Sequence, residues 1–296
     1  MEMDYFGRTP ILRQAAPTDA PQLQKLLRRK SFILRHLDWH SPLSWLGKQP
    51  FFLQEVDEGE ILAALACPPD AAGLIWLRLF AAAPGFSPQQ AWQALWPAAR
   101  DWLKENLPTA QVNSLAVSPQ VEELLVMADF KEISQVVSLV WDIGSARWPD
   151  GTGSVEVREM APDDLPQVFE IDLGAFDPLW RNTLDELQAA FSVSSYASVG
   201  LVEGRVSGYQ ISTASSQGGH LARLAVSPDL QGKGIGVTIL DDLLERFTRA
   251  GIVEVSVNTQ RDNQRSLALY QKFGFKLLEG IYPVFSYRVD PEEAAR

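Results

Sequence analysis

The sequence predicts an α/β protein made of two copies of one unit, each a mixed, mostly antiparallel sheet flanked by helices. Three observations predict it. A short pattern of apolar, Pro and Asp residues occurs twice. The same order of strand-like and helix-like segments follows it each time. A Gly- and Pro-rich stretch separates the two copies.

The repeated pattern stands at Leu12–Leu23 as LRQAAPTDAPQL and at Val157–Val168 as VREMAPDDLPQV. Both read as a strand end, then Ala-Pro-x-Asp, then a helix start. An Asp or Thr ahead of a helix fits an N-cap, and Pro costs little in the first turn. Downstream, Trp76-Leu-Arg-Leu-Phe-Ala81 parallels Leu221-Ala-Arg-Leu-Ala-Val226, a hydrophobic strand carrying one Arg. A turn containing Pro84 or Pro228 follows, then a long amphipathic helix. Gln111–Val117 parallels Val253–Asn258, Ala128-Asp-Phe130 parallels Phe273-Gly-Phe275, and Val136–Asp142 parallels Val284–Asp290. Gly144–Gly153 reads as a linker. The expected domains are therefore 1–145 and 154–296, joined by 146–153.

In the second copy the pattern gives strands at Val155–Met160, Tyr196–Glu203, Val206–Ala214 and His220–Val226. Helices follow Asp163 and cover Leu184–Phe191. A long helix spans Ile235–Arg249, a strand Val253–Asn258 and a helix Asn263–Phe273. Two closing strands, Phe275–Glu279 and Val284–Val289, complete it. Hairpins combined with strand–helix–strand crossovers imply a mixed sheet.

Composition narrows the function classes. The chain has 296 residues, 46% of them hydrophobic and 21% charged, as in globular proteins with a buried core. A formal net charge of -11 argues against phosphate backbones and anionic lipid as partners. One cysteine, Cys67, rules out an internal disulfide and a cysteine zinc site, and the three His (His36, His40, His220) argue against a metal centre. The opening Met1-Glu2-Met3-Asp4 lacks a basic, apolar leader pattern, and no apolar run approaches the ~20 residues that span a bilayer. The expected location is the cytoplasm.

The chemistry is concentrated in Leu224-Ala-Val-Ser-Pro-Asp-Leu-Gln-Gly-Lys-Gly-Ile-Gly236. A strand ends near Val226 and a Gly-rich turn feeds a helix. The helix carries Ile235, Ile239, Leu240, Leu243, Leu244 and Phe247 on one stripe. A helix N-terminus points N–H groups and the positive end of its dipole at one spot, an arrangement that binds anions. Gly232, Gly234 and Gly236 remove the Cβ atoms that would keep a phosphate away, and Lys233 adds a charge. A Walker A loop would need Ser or Thr after Lys233, where Gly234 stands. A dinucleotide fingerprint needs other spacing, close after a first strand. A tight loop that binds nothing is the plain alternative.

Taken whole, Val226-Ser-Pro-x-x-Gln-Gly-x-Gly-Ile-Gly236 followed by Asn258, Asn263, Ser266, Tyr270 and Gly274-Phe275 resembles the GNAT N-acetyltransferase superfamily over about Val155–Val289. The resemblance implies two tandem GNAT-like domains with acetyl-CoA as co-substrate and no metal. It implies that Gln231, Gly232, Lys233, Gly234, Ile235 and Gly236 bind the pyrophosphate. Leu224, Ala225 and Val226 would pair with the pantetheine arm like a neighbouring strand. Asn263 would hydrogen-bond that arm, and Tyr270 would act as general acid to the departing thiolate. Without the resemblance, Tyr270 reads as a buried aromatic beside Leu267 and Phe273.

The general base is not legible. The strand before the loop, His220-Leu-Ala-Arg-Leu-Ala-Val226, carries no acid. His220 and a water chain are both open as bases, and Arg223 suits an anionic substrate group or a carboxylate partner. Glu170, Asp172, Asp177 and Trp180 fall where this family shapes its acceptor pocket. Asp177 and Trp180 suit an amine, or else a packed turn.

The first copy reads Ala81-Ala-Ala-Pro-Gly-Phe-Ser-Pro-Gln-Gln90 at the corresponding loop. It has one Gly, Pro88 removes an N–H, and no Tyr matches Tyr270. It is expected to keep the fold without the catalysis. Cys67 lies there with no nearby His, against a thiol route. The expected function is acetyl transfer to a primary amine of a small molecule or protein N-terminus by direct attack. The alternative is a non-catalytic acyl-CoA-binding or sensing protein. The closing Ile281-Tyr-Pro283 resembles acetyltransferases of protein N-termini.

Overall fold

The computed structural model describes residues 9–29, 31–36, 39–56, 59–70, 73–148 and 155–290. They divide into two compact units. The first runs to Ser134 and resumes at Tyr282, and the second is Gln135–Ile281. The linker expected at 146–153 lies mostly outside the described residues.

The first unit contains β1 (Ile11–Gln14), α1 (Ala20–Arg28), β2 (Phe32–Arg35), β3 (Phe51–Val56), β4 (Glu60–Ala66), β5 (Ile75–Trp76), β6 (Leu79–Ala82), α2 (Pro88–Asn106), β7 (Gln111–Leu115) and α3 (Pro119–Met127). β8 (Lys131–Asp142) leads out of it. The second unit adds β9 (Glu156–Glu159), α4 (Leu165–Ala175), α5 (Leu184–Val193), β10 (Tyr196–Val202), β11 (Arg205–Ser215), β12 (Gly218–Val226), α6 (Ile235–Arg249), β13 (Glu254–Gln260) and α7 (Gln264–Lys272). β14 (Lys276–Arg288) leads back.

The strand order of the second unit is β8-β13-β12-β11-β10-β9, all antiparallel except β12 beside β13. The first unit has β1-β3-β4-β6-β2 and, separately, β5-β7-β14. The division between units departs from the boundary read at 145–154, for a physical reason. The last strands of the two copies are exchanged. Val136–Asp142 pairs with β13 in the second unit, and Val284–Arg288 pairs with β7 in the first. The repeat makes the two strands alike, so each fits the other's place. The two closing strands expected after Phe275 are one, β14. Gly280 and Pro283, which fall between the two expected strands, lie inside it.

Packing follows the apolar stripes. On α6, Ile239, Leu240, Leu243 and Leu244 are fully buried. Leu240, Leu243 and Leu244 join Phe247, Val255, Val257, Leu221 and Trp141 in one core. Four buried aliphatics at about 2 kcal/mol each outweigh the few tenths per residue that helix propensity supplies, so packing sets the pose of α6. The first core gathers Leu23, Phe51, Leu65, Trp92 and Trp96. Among the described residues no helix is long and apolar enough to cross a membrane, and no His, Cys, Asp and Glu cluster could hold a metal.

The repeat is visible down to single hydrogen bonds. Asp164 accepts two bonds from the Arg158 guanidinium, both 2.7 Å, and one from the Ala161 N–H at 2.7 Å. Asp19 does the same with Arg13, both 2.8 Å, and the Ala16 N–H at 2.7 Å. Neither Asp caps its own helix with its side chain, as the sequence pattern suggests. Each reaches back to fasten the strand–helix corner.

Asp164→Ala removes the fork and the acceptor together. The expected loss is about 1–2 kcal/mol of unfolding free energy in urea denaturation. The hydrogen bonds from Arg158 hold the Asp164 carboxyl below its usual range, so the unfolded chain takes up the proton first. The contribution is complete at neutral pH and disappears as the pH falls through that lowered value, where wild type and variant should converge.

Candidate functional site

The site is a gap between two strands of the second unit. β12 and β13 pair in parallel from Gly219↔Val255 to Leu221↔Val257, and there the pairing stops. A bulge sits at the same point. Ile211 of β11 faces Arg223 while Ser212 faces Leu221, so Ala222 is the extra residue. Beyond it β12 stays with β11 as far as Gly208↔Val226, and β13 stays with β8 as far as Gln260↔Val136. The strands diverge, and among the described residues no strand pairs the second edge of Leu224–Val226.

A cleft of about 900 Å³ occupies this gap and the space in front of α6. Leu224, Ala225, Val226, Gln231, Gly232, Gly234, Ile235, Gly236 and Asn263 line it. Lys233 is not among the lining residues. Gly232 (φ 79°) and Gly234 (φ 86°) are left-handed, so the loop needs glycine there. Gly236 differs. Its φ is not positive, and a Cβ would sit 3.5 Å from Leu269 and Val226, in ordinary contact. The fold does not demand glycine at that position. No side chain caps α6, and its first i→i−4 bond runs from Thr238 N–H to Gly234 C=O at 3.0 Å. The N–H groups before Thr238 and the helix dipole therefore face the cleft entrance.

The opposite wall is α7 and the residues before it. Asn263 caps this helix, its side-chain oxygen accepting from Ser266 N–H at 3.1 Å while its amide NH₂ donates to Gln260 Oε1 at 3.4 Å, which leaves one amide hydrogen for another partner. Arg265 and Lys272 also line the cleft. Sequence reading missed both cations. The signal was present, because they lie on the helix surface that carries Asn263, Ser266 and Leu269. Arg265 ties α7 to the loop through the Gln231 side chain at 2.5 Å, and Gln231 in turn donates to Val226 C=O at 3.1 Å.

The third wall is the connection from α4 to α5. Phe176, Asp177 and Trp180 line the cleft there. Arg223 does not, and of its two readings the structure has the carboxylate partner. Its guanidinium is committed to the buried Asp172 of α4, with Nε and Nη2 each 2.8 Å from a carboxylate oxygen. His220 is also off the cleft. It hydrogen-bonds Ser256 Oγ at 2.9 Å, and burial lowers its pKa. Glu170 is exposed and lines nothing in the cleft. Tyr270 is buried in the second core against Phe275 and is not among the lining residues. Burial raises its pKa, so the phenol stays protonated.

The first unit keeps the divergence and fills it. β5 pairs in parallel with β7 through Ile75↔Val112 and Trp76↔Asn113. β6, the counterpart of Leu224–Val226, pairs with β4 on one edge and with β2 on the other, from Phe32↔Ala82 to Arg35↔Leu79. The edge that is open in the second unit is taken here by the chain itself. The N-terminus of α2 is capped by Ser87 and begins with Pro88, which has no N–H.

Residues 165–275 match the model of the acetyltransferase (GNAT) family. The match lies wholly within the second unit. Its sequence is similar to a [ribosomal protein bS18]-alanine N-acetyltransferase of Escherichia coli K12, 23% identical over 138 residues, or 45% of this chain and 91% of the relative. A shorter stretch of 53 residues is 45% identical to the N-alpha-acetyltransferase RimI of Mycobacterium tuberculosis, covering 18% of this chain and 32% of that one. Among solved structures, a tandem GNAT protein from the clavulanic acid biosynthesis pathway overlays 95% of this chain on 99% of its own at TM-score 0.66 and 13% identity. A GCN5-related N-acetyltransferase from Sphaerobacter thermophilus covers 95% and 96% at TM-score 0.63 and 16% identity. The fold is thus two GNAT-like units in tandem.

The glycines give a direct check on the loop. Gly232→Ala and Gly234→Ala should each cost about 1 kcal/mol in urea denaturation, because each puts a side chain into a left-handed backbone. Gly236→Ala should leave stability unchanged within about 0.5 kcal/mol.

Proposed function

We propose that the second unit acts as a GNAT acetyltransferase and transfers an acetyl group from acetyl-CoA to the α-amino group of a protein or peptide, by direct attack. The observation that carries this is the open edge of Leu224–Val226 running into the uncapped N-terminus of α6. An extended amide-bearing arm can pair with the first, and a pyrophosphate can accept N–H groups from the second. Arg265 and Lys272 add positive charge along the same cleft. The donor supplies an activated thioester.

This chain's residues do the rest. Asp177, an exposed carboxylate at the acceptor wall, attracts a cationic amine, and Trp180 and Phe176 flank it with aromatic surface. Tyr270 is the proton donor to the departing sulfur. A thiol has an ordinary pKa of about 8.5 and a phenol about 10, so a phenol kept neutral by burial can still protonate or hydrogen-bond a thiolate. The absence of an acid on β12 bears on the acceptor. An α-amino group with pKa of about 7.8 is about one third neutral at pH 7.5, whereas an alkyl ammonium with pKa of about 10.4 is neutral about once in a thousand. A site without a strand carboxylate suits the first. The bS18-alanine enzymes among the relatives agree in class, and a small-molecule amine is the second reading.

Calorimetric titration of acetyl-CoA tests the donor. Micromolar binding at one equivalent per chain is expected, because β2 already holds the first unit's edge. Loss of that binding in a Gly234→Pro, Gly236→Asp variant would place the donor on the second loop. No binding by the wild type, or two equivalents, contradicts the reading. With an alanine-starting peptide as acceptor, Tyr270→Phe should lower kcat about 10–100-fold while acetyl-CoA affinity stays within about twofold.

A further inference from the structure

The acceptor wall is a loop, yet its inner side is fastened by one of the most buried polar groups in the second unit. Asp172 is fully buried. It accepts from Arg223 Nε and Nη2 at 2.8 Å each, from the Tyr209 hydroxyl, and from the backbone N–H of Asn182 at 2.9 Å. Arg223 also donates through Nη2 to the Trp180 carbonyl at 2.6 Å, and its guanidinium lies 3.6 Å from the centre of the Phe176 ring. The wall residues Phe176 and Trp180 are therefore both held by Arg223, and the loop's far end is held by Asp172. Arg223 itself stands one residue after the bulge and one before Leu224, where the open edge begins.

A planar fork on a carboxylate fixes orientation as well as distance. Removing either partner leaves a buried charge uncompensated. The first unit supplies an internal comparison. At the offset of 145 residues that relates Leu12 to Val157, Arg223 corresponds to Arg78 and Asp172 to Leu27. No carboxylate stands at that helix position. The segment corresponding to Asp177–Trp180 is Phe32–Arg35, and it is β2, lying along β6 and covering its second edge. Where the carboxylate is present, the connection stands away from the strand. Where it is absent from the helix, and Arg78 reaches Asp70 instead at 3.4 Å, the connection pairs with the strand.

We propose that Asp172, Arg223 and Tyr209 form a buried latch that positions the acceptor wall and holds it off the open edge of β12. The three are positioning residues, acting through Phe176, Asp177 and Trp180. This rests on the acetyltransferase reading only for its kinetic consequence.

The test compares wild type with Arg223→Met, Arg223→Lys and Tyr209→Phe, the last sparing both charges in case the others fold poorly. Amide hydrogen exchange is followed in the ligand-free protein at 176–183 and at 231–238. The latch predicts at least tenfold faster exchange at 176–183 in Arg223→Met, an intermediate change in Arg223→Lys and Tyr209→Phe, and unchanged exchange at 231–238. With an alanine-starting peptide at saturating acetyl-CoA, KM should rise about tenfold in Arg223→Met, with partial recovery in Arg223→Lys. Unchanged exchange at 176–183 overturns the latch. Equal acceleration at both segments overturns it too, because that is loss of the unit and not of the wall. If the wild type neither binds acetyl-CoA nor acetylates the peptide, the transferase reading fails while the exchange result still decides the latch.

Discussion

The divergence of β12 from β13 is the constraint on which the second unit depends. Backbone N–H and C=O groups on an interior strand are ordinarily paired, and leaving them open inside a sheet is unfavourable. Here the bulge at Ala222 ends the parallel pairing after Leu221 and turns the strand outward. The loop glycines then bring the N-terminus of α6 to the mouth of the gap. The core beneath, from Leu221 to Phe247, holds both strands and the helix in that arrangement.

The same constraint met a different solution in the first unit. Its strands diverge at the corresponding place, and the chain's own β2 satisfies the open edge. There the strand edge is paired within the unit. The exchange of β8 and β14 between the copies points the same way, since two repeats with like strands can complete each other's sheets.

The parts legible in the sequence are those encoded locally. The Ala-Pro-x-Asp repeat, the stripe on α6, and the glycine loop each follow from spacing within one turn or one element, and the structure has them in place. The parts that were not legible depend on long-range pairing. Nothing in Phe32–Arg35 alone says it will lie along β6, and nothing in Val284–Asp290 says it will pair in the other unit. Arg223 stayed open between a substrate anion and a carboxylate because its partner, Asp172, is 51 residues away in sequence. Arg265 and Lys272 were passed over because a charged helix face usually means only solvent. Tyr270 carries both of its readings into the structure. It is a core aromatic by packing and, in the proposed mechanism, an acid kept protonated by that same burial.

The most direct measurement is the hydrogen-exchange footprint of acetyl-CoA over the whole chain. Slowed exchange at Leu224–Val226 and at 231–238, with Leu79–Ala82 unchanged, is the predicted result, since among the described residues the edge of Leu224–Val226 is open and that of Leu79–Ala82 is paired. Protection at Leu79–Ala82, or none at Leu224–Val226, would contradict the account.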